Sequence, residues 1–381
     1  LALAFVLARV LVQPIGVHSV YGVYAGAARN WVSGSQIYDW REAAGFRYAP
    51  AVAILFLPLA ALPDRLGEVL WRLANVAIYF AALYWCWSLR IPTRGARKYW
   101  AIVLLLVLPL SLGSINSGQA NCLLIGLLLI TIASIHTERW NLAAIALTIA
   151  CFLKLYPIAL AMLLALLFPR KFTARFIVCC AIGLALPFLF QRPTTAVQQY
   201  ADWFLRLHAE DRHDRPAYIW YSDVRLLLRL CHISTAPVVY VAIQLIAALL
   251  IALICHAGQI HRWPNKLLLG RTLAMACCWM TALGPSTENN TYILVAPSLV
   301  WALCDAWFDP SVRLERAFLI TSYGLLIASV VALWFPFGRF LDAYGFAALG
   351  GLLFLGLLMV RSVTELVDEE AHASKLLAAK S

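Results

Sequence analysis

The sequence is poor in charge. Only 13% of its 381 residues are Asp, Glu, Lys or Arg, while 63% are hydrophobic; an average soluble domain carries about 25% charged residues. Mean hydropathy is +0.80. A water-soluble globule of this size cannot hide so much apolar surface. This excludes a soluble enzyme, a disordered chain and a nucleic-acid-binding domain. The chain also lacks CxxC pairs, His spacings of the zinc type, a Gly-rich phosphate loop, a repeat of fixed period and a low-complexity tract. Its ten cysteines fall mostly inside apolar runs and read as small packing residues. Acidic residues are the scarcer charge, 19 against 30 Lys and Arg, for a net +11. In a membrane protein that excess marks cytoplasmic loops and contacts with lipid headgroups rather than nucleic acid.

What is present is a series of long apolar runs. A span needs about 20 apolar residues. Candidate segments lie at 1–13, 49–62, 68–89, 99–113, 120–135, 141–168, 174–190, 237–256, 267–284, 291–307, 317–337 and 343–361. The expected fold is all-α, a polytopic transmembrane helical bundle with about 10–13 membrane segments. Residues 1–361 read as a single integral membrane domain and 362–381 as a short cytoplasmic tail. Leu1 falls inside an apolar run, so a signal or the first half of a helix is expected upstream. Two runs are irregular. Pro50, Pro58 and Pro63 punctuate 49–62, which reads as a half-helix or a tilted span. The run 141–168 is too long for one straight helix and is interrupted by Lys154, Tyr156 and Pro157, as a hairpin or a kink would be.

Charge predicts the orientation. The segments 90–98, 169–175, 257–266 and 308–316 are basic, and the tail after Arg361 belongs with them. The alternating loops at 113–119, 284–290 and 338–342 carry almost no Lys or Arg. The positive-inside rule assigns the basic set and the C-terminus to the cytoplasm of a multi-pass cell-membrane protein. That assignment requires 141–168 to be a hairpin with Lys154 near the outer side. Two long loops, 14–48 and 191–236, then lie outside and are rich in Trp and Tyr. They read as an interfacial aromatic belt or as a platform for a sugar or lipid.

The polar motifs gather on the side away from the basic loops. Asn116, Gln119 and Asn121 precede an apolar run and offer more donors than a helix cap needs. Lys154 lies within Phe152-Leu153-Lys154-Leu155-Tyr156-Pro157. A lysine within an apolar stretch costs about 2.5–3.5 kcal/mol on insertion scales, so it is expected to have a partner or a task. It could snorkel to the interface, or bind a phosphate as a point charge. Glu288 and Asn289 stand in a polar turn, Gly284 to Tyr292, between two apolar runs; a helix cap or a substrate contact would use the same residues. Asp39 and Glu42 are the only carboxylates of the stretch from Gly34 to Pro50 and are candidate general bases.

These residues, in this order, resemble glycosyltransferase family 87, the DUF2029 group of polyprenyl-phosphate-dependent mannosyl- and arabinosyltransferase-like membrane proteins of the GT-C type. The resemblance rests on Val23-Tyr24-Ala25 through Trp31, Gly34, Tyr38 and Asp39; on Tyr48, Pro50, Pro58-Leu59 and Leu62-Pro63; on Gly118-Gln119-Ala120-Asn121 followed by Lys154, Tyr156 and Pro157; and on the Pro-Ser-Thr-Glu loop ending at Glu288. It implies a GT-C-like fold and transfer of a sugar from a polyprenyl phosphate to a glycolipid or glycan acceptor of the cell envelope. The reaction would take place outside the membrane, with inversion. Lys154 and Arg47 would stabilise the departing phosphate. Tyr48, Asn116, Gln119, Asn121, Tyr156, Glu288 and Asn289 would contact sugar or headgroup. The partners are then the lipid-linked donor, the acceptor and membrane lipids, with no nucleic acid. No cofactor beyond the donor is implied, and no ligand cluster argues for a metal.

The family carries a carboxylate four residues before the Val-Tyr tyrosine. In this chain that position is Val20, with His18 nearby. Asp39, Glu42 or His18 would then serve as base, or the chain would be a catalytically inactive member. A transporter or flippase of a lipid-linked substrate is the competing reading; it predicts two halves related by repeat, and no such symmetry is visible.

Overall fold

The computed structural model describes residues 2–12, 19–38, 45–89, 99–208, 220–307, 309, 311–332 and 344–378. The first half comprises α1 (Ala2–Val12), α2 (Tyr21–Ser33), α3 (Pro50–Leu55), α4 (Leu57–Ala60), α5 (Asp64–Ser88), α6 (Trp100–Ser117), α7 (Asn121–His136), α8 (Trp140–Leu153) and α9 (Ile158–Leu167). The second comprises α10 (Ala174–Phe190), α11 (Pro193–His208), α12 (Val224–Leu230), α13 (Pro237–Ile260), α14 (Asn265–Cys278), α15 (Ala296–Trp307), α16 (Arg313–Ala332) and α17 (Phe346–Ala378). There is no strand among the described residues. The protein is an all-α polytopic bundle.

Seven of the described helical segments are long and apolar enough to cross a bilayer: Asp64–Ser88, Trp100–Ser117, Pro169–Phe190, Pro237–Ile260, Asn265–Leu283, Arg313–Val331 and Phe346–Asp368. Their burial differs sharply. Asn265–Leu283 has 83% of its apolar window buried and forms the centre of the bundle, whereas Pro169–Phe190 has 11% and faces outward. Proline splits the 49–62 run: Pro50 opens α3, Pro58 stands at the start of α4, and Pro63 precedes α5. Proline fits the first helical turn, where no N–H is needed, so each one starts a new helix rather than kinking an old one.

The run 141–168 folds as a hairpin. α8 and α9 meet at the extended backbone of Lys154. Their far ends close again, where Trp140 and Phe168 lie 5.4 Å apart and Arg175 Nε donates to Asn141 Oδ1 at 2.9 Å. With 14 and 10 residues, α8 and α9 rise about 21 and 15 Å, short of a hydrocarbon core of about 30 Å.

Helices gain little from burying apolar groups against one another in lipid, so close backbone approach matters. α5 and α7 pack this way at Gly126. A Cβ there would stand 3.1 Å from both the Tyr79 nitrogen and its Cα, which are backbone and cannot yield like a flexible side chain. Gly126→Val is therefore expected to separate the two helices and destabilise the protein by about 1–3 kcal/mol. A melting curve in detergent that matches the parent would refute this.

The described basic segments, 169–175, 257–266 and 311–316, share one end of the bundle. Gln259 Nε2 donates to the Leu167 carbonyl, which joins the end of α13 to the end of α9. Lys171 pairs with Glu138 at 3.7 Å, and Arg271 on α14 pairs with Glu365 on α17 at 2.6 Å. α5 ends and α6 begins on either side of 90–98, at this same end. The turns 118–120, 154–157 and 284–288 lie at the opposite ends of these helices.

Candidate functional site

A polar face on α5 organises the site. Glu68, Trp71, Arg72 and Asn75 are buried and follow the spacing of one helix face. Arg72 donates to Glu68 at 2.7 Å, to the Ile115 carbonyl at 3.1 Å and to the Asn116 carbonyl at 2.9 Å. Trp71 Nε1 donates to the Gly118 carbonyl at 2.8 Å. Asn75 Oδ1 accepts from the Leu123 N–H at 3.1 Å. These contacts solve one problem. The chain breaks between α6 and α7, and the last carbonyls of α6 and the first N–H groups of α7 have no partner within their own helices. In the protein interior each must be satisfied, and a cation suits the negative end of α6. Gly118 makes the break, with φ of 64°, and an added Cβ would lie 3.2 Å from the Arg72 guanidinium.

That break aims a cluster of side chains at Lys154. Lys154 Nζ donates to Asn121 Oδ1 at 2.8 Å and lies 5.5 Å from the centroid of the Tyr156 ring. The Asn121 amide donates to Gln119 Oε1 at 2.7 Å, to Ser114 Oγ at 3.2 Å and to the Asn290 carbonyl at 3.2 Å. Gln119 Nε2 donates to Glu288 Oε2 at 3.3 Å. Glu288 and Arg47 are both close enough to act electrostatically on Lys154. Lys154, Arg47 and Glu288 therefore form one charged cluster, and its two cations suit an anionic group. The Tyr156 hydroxyl is buried without a hydrogen-bond partner.

The segment 45–49 brings in Arg47 and Tyr48. The Ala49 N–H donates to the Phe152 carbonyl at 3.2 Å, which ties the segment to the end of α8. Tyr48 shares a 2.6 Å hydrogen bond with Tyr24, whose hydroxyl also accepts from the Ala120 N–H at 3.3 Å. The Val20 N–H donates to the Ser117 carbonyl at 2.9 Å, so the position where the resemblance calls for a carboxylate borders the same break. The two long loops meet each other. Gln36 donates to Asp202 at 3.2 Å, the Ile37 N–H to Gln199 at 3.4 Å, and Trp203 Nε1 to the Arg47 carbonyl at 3.0 Å. The buried face of α11 thus backs the site rather than lying apart from it.

The other flank is 220–223. The Ser222 N–H donates to the Thr287 carbonyl at 2.8 Å, and Tyr292 OH donates to the Ser222 carbonyl at 2.7 Å. Asp223 caps α12 by accepting from the Leu226 N–H. Burial pushes its carboxyl up to about 6, against the lowering effect of that N–H.

Of the residues singled out in the sequence, Arg47, Tyr48, Gln119, Asn121, Lys154, Tyr156 and Glu288 are brought together. Asn116 is turned to a different partner: its Oδ1 accepts from Arg9 at 3.1 Å. Asn289 follows Glu288 at the start of a 3₁₀ turn. Asp39, Glu42 and His18 lie outside the described residues. Glu68, Trp71, Arg72, Asn75 and Ser114 were missed. The signal for the α5 residues was available, since Glu68, Arg72 and Asn75 recur at helical spacing inside an apolar run. No three His, Cys, Asp or Glu side chains gather as a metal site among the described residues.

No match to the chain was found among curated proteins or among solved structures. The family model described as Glycosyltransferase family 87 matches residues 46–285. That stretch is well over half of the chain, and it contains Arg47, Tyr48, Gln119, Asn121, Lys154 and Tyr156 while ending just short of Glu288. With this match, the chain belongs to glycosyltransferase family 87.

Proposed function

We propose that this membrane glycosyltransferase is of the GT-C type and moves a sugar from a polyprenyl phosphate to a glycolipid or glycan acceptor on the extracytoplasmic side, with inversion. The observation that carries this reading is the convergence of Lys154, Arg47, Asn121, Gln119 and Glu288 at the end of the bundle opposite the basic segments. The positive-inside rule assigns that end to the outside and the C-terminus to the cytoplasm. α8 and α9 stop short of a full span, which supports access to the cluster from the side by a phosphate carried on a lipid.

In the transfer, a base removes the proton of the acceptor hydroxyl. That oxygen forms the new bond to the anomeric carbon, and the carbon–oxygen bond to the phosphate breaks with its electron pair going to the phosphate. Lys154 and Arg47 meet the charge that develops on the leaving group. Asn121 holds the Lys154 ammonium in place. Gln119 and Glu288, joined to each other, orient sugar hydroxyls, and Tyr48 and Tyr156 line the same wall. Asn289 extends the contacts at the rim. Asp39 is the first candidate for the base and Glu42 the second.

A catalytically inactive family member is the second reading, favoured by Val20 at the position of the family's carboxylate. The test uses purified chain in lipid, a panel of radiolabelled polyprenyl-phosphate sugars and a membrane-lipid extract as acceptor source. Transfer by the parent chain, with a loss of about 10²-fold or more in Asp39→Asn, supports both the enzyme and its base. Transfer that survives Asp39→Asn and Glu42→Gln removes both as base. Folded protein that transfers no sugar from any donor overturns the enzyme reading.

A further inference from the structure

A second cationic site lies at the opposite end of the bundle, and nothing in the transfer reaction uses it. Where α7 turns into α8 and meets α10, a cavity of about 370 Å³ is lined by Glu138, Arg139, Trp140, Asn141, Leu142 and Arg175. The Arg139 guanidinium lies over the Trp85 ring, 5.7 Å from its centroid. Arg175 spends Nε on Asn141 Oδ1 at 2.9 Å and Nη1 on the Lys171 carbonyl at 2.5 Å, which leaves Nη2 for a ligand. Glu138 is the one carboxylate on the wall, and Lys171 pairs with it at 3.7 Å. Arg139, Arg175 and Lys171 against Glu138 leave the wall cationic. α8 also begins here without a side-chain cap on its first N–H groups, so its positive end adds to the same field.

The two helices that flank the cavity also expose apolar side chains. Leu142 and Ile145 on α8 are 38% and 46% exposed, and Ile177, Val178 and Ile182 on the adjoining α10 are 59%, 56% and 64% exposed. A cationic cavity on helices that also expose branched apolar side chains offers the two chemistries of a phospholipid: arginines for the phosphate, apolar surface for the acyl chains.

We propose that this cavity binds the phosphate headgroup of an anionic membrane phospholipid, with the acyl chains against the exposed apolar side chains of the bundle surface. Arg139 and Arg175 contact the phosphate, and Asn141 holds the Arg175 guanidinium in place. Such a lipid is a structural ligand at the end away from the Lys154 cluster, and its binding does not depend on the transfer reaction.

The test titrates purified, delipidated full chain with short-chain phosphatidylglycerol and, separately, with short-chain phosphatidylcholine, and reads bound lipid by native mass spectrometry. Phosphatidylglycerol is expected to bind more tightly. Arg139→Gln with Arg175→Gln is expected to lower its affinity about 30-fold, about fivefold per arginine. The control pair Arg170→Gln with Arg262→Gln, basic residues at the same end but outside the cavity, is expected to change it less than twofold. Should the double variant fail to fold, the single Arg139→Gln keeps the test, with an expected loss of about fivefold. Inorganic phosphate and glycerol phosphate are run as competitors. Equal binding of the two lipids, equal loss in the control pair, or no loss in the cavity variants overturns the proposal. Displacement of the lipid by inorganic phosphate at matched concentration overturns it too, since that result means a site for free phosphate.

Discussion

Lys154→Ala is expected to abolish sugar transfer, by about 10²–10³-fold in turnover, while leaving the protein folded. The change removes one cation from a cluster in which Glu288 and Arg47 remain. It also leaves Asn121 Oδ1 without the ammonium that donates to it at 2.8 Å, a loss worth about 1–3 kcal/mol of stability. The two effects separate with Lys154→Met, which keeps the length and removes the charge, and with Asn121→Ala, which frees the lysine. If the charge does the work, Lys154→Met loses transfer as fully as Lys154→Ala. Asn121→Ala then loses less, because the ammonium is still present but poorly held. The comparison needs initial transfer rates and melting curves on all three variants. Transfer that persists in Lys154→Met would place the stabilisation of the leaving group elsewhere.

Arg72→Ala is expected to be the most destabilising single change on α5, at about 3–5 kcal/mol. The Arg72 and Glu68 side chains are 2% and 6% exposed, so removing the arginine strands a buried carboxylate. It also strips donors from the Ile115 and Asn116 carbonyls at the end of α6. Arg72→Met with Glu68→Leu removes both charges and is expected to recover much of the loss, as buried pairs replaced by apolar residues often do. It does not restore the two carbonyl contacts. The double variant should therefore melt near the parent yet transfer poorly, because the turn that presents Gln119 and Asn121 is no longer held. Melting curves and transfer rates on the single and double variants check this. A single Arg72→Ala variant as stable as the parent would show that water reaches the pair and that the carbonyls need no arginine.

Much of the architecture was legible in the residue order. Apolar runs between charged or proline-rich breaks located the helices, because a backbone in lipid must satisfy its own hydrogen bonds. The sequence placed a break at Lys154-Tyr156-Pro157 but left hairpin and kink open; that choice depended on whether Trp140 would meet Phe168, a contact between residues far apart in the chain. The two long loops read as an aromatic belt or a platform. Their engagement through Gln36 with Asp202 and Ile37 with Gln199 came from the packing of α11, which no local pattern announces.

The site divides in the same way. Lys154 stands out in the sequence because a charge inside an apolar stretch is costly and calls for a reason, and Gln119, Asn121 and Glu288 because they gather in the polar breaks between apolar runs. What the residue order could not supply was their mutual geometry. Asn116 and Asn121 look alike on paper, yet one accepts from Arg9 and the other holds Lys154. Glu68, Arg72 and Asn75 carried a visible spacing but no visible purpose until α5 lay across the gap between α6 and α7. Composition and hydropathy sufficed for the class of protein, the order of its apolar helices and the polar residues that stand out among them, since these follow from the cost of exposing polar groups to lipid. Which of those residues meet, and which merely cap a helix, was settled by packing, because the partner of a buried charge lies on another helix and its direction is set by the fold.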